Sequence, residues 1–117
     1  MLWEAAANAI VAVSSGQHTG PGPSGITGGD DVDMISGIEL RMLGETSRAV
    51  TGMTRKQANE IVVKCLEKYE PTLGNPPKGK RLQDLYDVAI LKVKEEWLAK
   101  FEEVKAELKS WGVPYRY

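Results

Sequence analysis

Glycine and proline decide where this chain can be helical. Glycine stands at 16, 20, 22, 25, 28 and 29 and proline at 21 and 23. Glycine pays too much backbone entropy to sustain a helix, and proline lacks the N–H that a helix interior needs. Residues 16–30 are therefore expected as a Gly-rich loop with no apolar content beyond Ile26. Gly74-Asn75-Pro76-Pro77 marks a second interruption, a Pro/Gly loop over residues 71–80. Any core must come from the segments these loops leave between them.

Those segments read as helices. Residues 2–15 are dominated by alanine, the strongest helix former, and Leu2, Ala6, Ala9, Ile10 and Val13 share one face. Ile10 to Val13 could instead be a short buried strand, because a brief apolar run has no diagnostic period. A second helix is expected over residues 31–50, with Asp30, Asp31 and Asp33 at its positive end and Ile35, Ile38, Met42, Ala49 and Val50 as its apolar stripe. Arg41 and Glu45 are spaced to pair along it. Gly37 and Gly44 weaken it unless close packing compensates. The third helix spans 54–70: Thr54 and Gln57 form a capping box, and Ala58, Ile61, Val62, Cys65, Leu66 and Tyr69 follow at helical spacing until Pro71 stops it. Leu82, Leu85 and Tyr86 suggest one short helical turn. The last helix covers 94–111, where Trp97, Phe101, Val104, Leu108 and Trp111 step by four, three, four and three, a heptad seam. Gly112 is placed to cap it in the left-handed conformation, and Pro114 prevents continuation. The expected architecture is mainly α: a single helical domain over 1–117 with about four helices.

Composition narrows the function. Lys and Arg number 15 against 16 Asp and Glu, for a net charge of −1. That is no electrostatic footprint for nucleic acid. A single cysteine, Cys65, excludes an internal disulfide and a cysteine cluster for zinc or iron–sulfur, and fits a reducing cytoplasm. No apolar stretch reaches the length of a membrane span. The opening Met1-Leu2-Trp3-Glu4 has no basic leader, so no secretory signal is expected.

Several residues invite a chemical reading. The glycine loop resembles a phosphate cradle only loosely: no lysine closes it, and Asp30, Asp31 and Asp33 would repel an anion. His18, the only histidine, has those aspartates as its sole metal-ligating company, and a solvated side chain is the simpler expectation. Cys65 lies on an apolar helix face, where a cysteine behaves as a small hydrophobe rather than a nucleophile. Lys78, Lys80 and Arg81, with Tyr115, Arg116 and Tyr117, mix basic and aromatic groups as single-strand binders do, but the glutamate-rich helices favour a merely solvated surface. The seam of Trp97, Phe101 and Trp111 is either core or a partner surface.

One run carries more. Gly37-Ile38-Glu39-Leu40-Arg41-Met42-Leu43-Gly44-Glu45, followed by Arg48-Ala49 and Gly52, resembles a segment near the C-terminus of the monomethylamine:corrinoid methyltransferases. Gly79-Lys80, Gln83, Tyr86-Asp87-Val88 and Glu95-Glu96 continue the likeness in order. Leu108 and Gly112 fit the family's closing helix, and Leu2, Glu4, Ala5, Ala7 and Gly16 fit more loosely. The resemblance spans nearly the whole chain, and the glycine loop departs from it most.

The resemblance implies a piece of a TIM-barrel enzyme. The family moves a methyl group from methylamine to the cobalt of a separate corrinoid protein, a step that feeds methanogenesis. Its pyrrolysine, encoded by an in-frame amber codon, lies upstream of anything matched here. It follows that no catalytic, cofactor-binding or metal-binding residue is expected in this chain, and whether it is an enzyme stays open. Its implied partners are the remainder of a methyltransferase, a corrinoid protein, or a second copy of itself. A homo-oligomer would most simply use the seam of the last helix. The alternative is an independent helical interaction module acting as a homo-oligomer.

Overall fold

The computed structural model describes residues 2–17, 36–75 and 80–116. Along them run α1 (Leu2–Ser14), α2 (Gly37–Ala49), α3 (Arg55–Tyr69), a 3-10 turn (Glu70–Thr72), α4 (Leu82–Leu85), β1 (Tyr86–Asp87), β2 (Lys92–Val93) and α5 (Glu95–Ser110). The mainly helical expectation holds.

The alanine-rich helix sits at the centre. α1 contacts α2, α3 and α5. Ala5, Ala6, Ala7, Ala9, Ile10 and Ala12 are all buried, so α1 is covered on more than the single face its periodicity suggests. Small side chains permit this, since a methyl group keeps neighbouring backbones close. The strand alternative at Ile10 to Val13 is excluded. α1 ends in a Schellman motif: Gly16 takes φ 74°, Gln17 N donates to Ala12 O at 2.9 Å, and Gly16 N donates to Val13 O at 3.1 Å.

α2 begins later than the expected 31–50. Ser36 is extended, at φ −119° and ψ 171°, so no helix passes through it. Its hydroxyl accepts from Ile38 N at 3.3 Å while the Glu39 carboxylate accepts from Ser36 N at 3.0 Å. This capping box fixes the start at Gly37 and takes the N-terminal role expected of Asp30, Asp31 and Asp33. Those aspartates and Ile35 lie outside the described residues. Val50 and Met53 close the turn into α3 with a 3.0 Å bond, and Gly52 supplies its positive φ of 85°.

α3 starts where its box predicts, with Thr54 N donating to Gln57 Oε1 at 3.2 Å and Gln57 N to Thr54 Oγ1 at 3.3 Å. It buries Ala58, Ile61 and Cys65.

The short helical turn at Leu82 is present as α4. It leads directly into a small antiparallel hairpin in which Tyr86 pairs with Val93 and Asp87 with Lys92. Lys94 N donates to Leu85 O at 2.8 Å and prolongs the pairing.

α5 closes the core. Phe101, Val104 and Leu108 are buried and belong to one cluster with Ala5, Ile10, Met42 and Ile61. Trp111 is stacked on Trp3 with centroids 5.3 Å apart. The middle of the heptad seam is thus spent inside the chain, while Trp97 and Trp111 at its ends are partly buried against the core. Phe101 is only 1% exposed, which corrects the expectation that this seam offers a contact for a second copy. Gly112, at φ 104°, caps α5 in a second Schellman motif, with Val113 N donating to Leu108 O at 3.1 Å and Gly112 N to Lys109 O at 3.0 Å. No helix among the described residues is long and apolar enough to cross a membrane.

Candidate functional site: a charged and aromatic junction

The densest polar chemistry joins α2, α5 and the segment after α5. The Arg41–Glu45 pair that the four-residue spacing anticipates is formed, with Arg41 Nε 2.7 Å from Glu45 Oε1. The other carboxylate oxygen of Glu45 accepts from Lys105 Nζ at 2.7 Å. Lys105 leaves α5 among buried residues, so its amine is withdrawn from water while its stem packs. The Arg41 guanidinium lies 4.7 Å from the centre of the Phe101 ring, and Lys105 Nζ lies 5.9 Å from that ring and 5.2 Å from the Tyr115 ring. Such cation–π placement suits cations that are partly desolvated.

At the next residue of α2, Thr46 Oγ1 and the Tyr115 hydroxyl lie 2.6 Å apart. The Met42 sulfur receives longer contacts from both, at 3.6 and 3.9 Å. A Schellman turn at Gly112 and the rigid Pro114 bring Tyr115 back against α2. Two hydroxyls withdrawn from solvent are thereby satisfied by each other.

The electrostatics fix this junction rather than arm it. Burial works to raise the Glu45 pKa, but the hydrogen bonds and charges of Lys105 and Arg41 outweigh it and hold the carboxyl below its ordinary value. Burial pushes the Tyr115 hydroxyl up to about 12; the Thr46 bond opposes this, while Glu45 and Cys65 add to it. Cys65 is buried, and burial, with the charge of Glu107, pushes its thiol up to about 12. A thiol so rarely ionised is a poor nucleophile.

The other sequence candidates fare differently. His18, Asp30, Asp31, Asp33, Lys78 and Tyr117 lie outside the described residues. Lys80, Arg81 and Arg116 are exposed, but Tyr115 is buried in the core cluster, so its ring is not offered to a basic–aromatic surface. Among the described residues no group of three or more His, Cys, Asp or Glu could hold a metal ion. Thr46, Lys105 and the turned-in Tyr115 were not legible as a unit. They meet through sequence separations of 60 and more, which local spacing does not reach.

Comparison with known proteins places the fold. The profile of the family described as "Monomethylamine methyltransferase MtmB" matches residues 1–113. Monomethylamine methyltransferase MtmB1 of Methanosarcina acetivorans is 32% identical, over 97% of this chain and 25% of its own length. MtmB1 of Methanosarcina barkeri is 31% identical over the same shares. The crystal structure of the Methanosarcina barkeri enzyme superposes with a TM-score of 0.81 at 32% identity, over 96% of this chain and 24% of that one. A crystal structure of the hydroxylamine complex of MtmB gives the same figures. This chain spans about a quarter of the length of these relatives.

Proposed function

Because this chain belongs to the monomethylamine methyltransferase MtmB family, we propose that it is a structural, C-terminal segment serving methyl transfer from monomethylamine. In this reading the methyl group passes to the cobalt of a separate corrinoid protein, in the cytoplasm, as a step of methanogenesis. The groups that make and break bonds lie in the part of the family fold outside this segment. The chain itself holds no corrinoid and is inactive alone.

The observation that carries this reading is the extent of the match: one continuous family segment accounts for residues 1–113 yet only a quarter of the relatives. The site chemistry supports it. Glu45 is shared between Lys105 and Arg41, Tyr115 is bonded to Thr46, and Cys65 is held as a thiol. Each is committed to holding the chain together. The partners in this reading are the remainder of a methyltransferase and, through it, a corrinoid protein. Self-association would have to use a surface other than the buried α5 seam.

The test is cobalt methylation. Purified chain, monomethylamine and a reduced corrinoid protein are followed by the corrinoid spectrum. No methylation above the protein-free control is expected. Turnover by the chain alone would overturn the reading, and an independent active centre would then be sought in residues 18–35.

A further inference from the structure

Among the described residues, nine large apolar side chains are exposed, and three of them, including the two most exposed, are neighbours on the hairpin turn. The turn reads Val88-Ala89-Ile90-Leu91, with Val88 56%, Ile90 61% and Leu91 77% exposed. Turns that face water favour Gly, Asn, Asp or Ser, each for a reason of backbone geometry or local hydrogen bonding. Here Leu91 instead takes φ 52°, a conformation a bulky side chain rarely adopts, while presenting that side chain to solvent. The tip is poor as a free turn and well made as an apolar knob.

The hairpin that carries the knob touches α2 through Tyr86. Tyr86 of β1 reaches the head of α2, where its hydroxyl lies 2.7 Å from the point a Cβ on Gly37 would occupy. Leu40 and Gly44 follow Gly37 at three and seven residues, along the same side of the helix. Leu40 is 46% exposed, and a Cβ on Gly44 would meet nothing within 4 Å. Glycine weakens a helix interior, and no neighbour among the described residues uses the room it leaves.

We infer that the Val88–Leu91 tip and the Leu40–Gly44 side of α2 together dock on the part of the methyltransferase fold that lies outside this segment. The inference rests on the family reading above. A second copy of this chain suits the surface less well, since a stable dimer buries about 800 Å² per partner and the tip offers three large side chains. The relatives supply the better occupant: they carry this segment as a quarter of a longer chain, with the rest available to cover it.

Hydroxyl-radical footprinting read by mass spectrometry tests this on two proteins as they exist, this chain and the full-length Methanosarcina barkeri relative. Leu40, Ile90 and Leu91 should be modified freely here, and the aligned positions of the relative several-fold less. Equal modification in both proteins would overturn the inference. A second arm replaces Ile90→Lys and Leu91→Lys. This chain should keep its helical content and melting temperature, whereas the relative changed at the aligned positions should melt lower. A variant chain that unfolds would place the tip in its own core, and a relative that melts unchanged would leave the tip without a partner; either overturns the inference. The footprint reads coverage and cobalt methylation reads the reaction, so each can fail without the other.

Discussion

The hydroxyls of Thr46 and Tyr115 lie 2.6 Å apart, although 69 residues separate them in sequence. Through this bond the segment after α5 is fastened to α2, over the Met42 sulfur. Removing one partner leaves the other buried with only a weak acceptor nearby. Tyr115→Phe should therefore destabilise the chain by about 1–2 kcal/mol, and Thr46→Val by a similar amount. The double variant should cost less than the sum of the two. Urea unfolding of all four proteins measures the coupling, and strict additivity would show that the bond contributes nothing.

The Lys105–Glu45 contact makes an asymmetric prediction. Their side chains are 9% and 13% exposed, whereas that of Arg41 is 50% exposed. Removing Lys105 leaves Glu45 with Arg41, but removing Glu45 takes the shared carboxylate from both cations at once. Breaking a buried pair from one side costs about 3–5 kcal/mol, so Glu45→Ala should approach that range and Lys105→Met should cost less. The pH dependence comes from Glu45, whose folded-state pKa is lowered by Lys105 and Arg41 against the opposing effect of burial. Its contribution is present above the ordinary carboxylate pKa and is lost as pH falls through the lowered folded value. In Glu45→Gln this acid-side loss should shrink, as thermal melts at descending pH would register.

On the alkaline side the sign reverses. Cys65 and Tyr115 are both pushed up to about 12 by burial, above their unfolded values of 9.0 and 10.0. Their contributions are complete below the unfolded pKa values and decline as pH rises toward the folded ones. The native thiol should stay unreactive toward a disulfide reagent at neutral pH and react at once in denaturant. Tyrosinate absorbance should likewise show a late-titrating fraction that Tyr115→Phe reduces, Tyr69 also being pushed up, chiefly by burial. A Cys65 that reacted quickly in the native chain would contradict its burial.

The legibility of the fold divides by distance along the chain. Thr54 and Gln57, Arg41 and Glu45, and Gly112 with Pro114 each act within one or two helical turns, and each was legible. The start of α2 was legible too, since Ser36 and Glu39 carry the same three-residue spacing as Thr54 and Gln57. The run of aspartates drew the boundary upstream instead, because charge near a helix end is a weaker constraint than a side chain that occupies its free N–H groups. The hairpin was missed because strands of two residues have no period to detect. The burial of the Trp97-to-Trp111 seam and the meeting of Lys105 with Glu45 depend on how helices pack, which no local spacing specifies.

The two glycines of α2 show how far packing can separate identical residues. Both cost helix propensity, and both suggest close approach by a neighbour. Only Gly37 has one: a Cβ there would stand 2.7 Å from the Tyr86 hydroxyl, well inside contact distance. Gly37→Ala should therefore gain nothing from its better propensity and lose about 1 kcal/mol as the tyrosine shifts. Tyr86→Phe in the same chain should recover most of that loss, because it removes the atom in conflict. Gly44 faces open space within the helix and away from any positive φ. Gly44→Ala should raise stability by about 0.5–1 kcal/mol. Chemical denaturation of the three variants decides the matter. If Gly44→Ala destabilised the isolated chain, its surroundings would be filled, and the face proposed for docking would be occupied already.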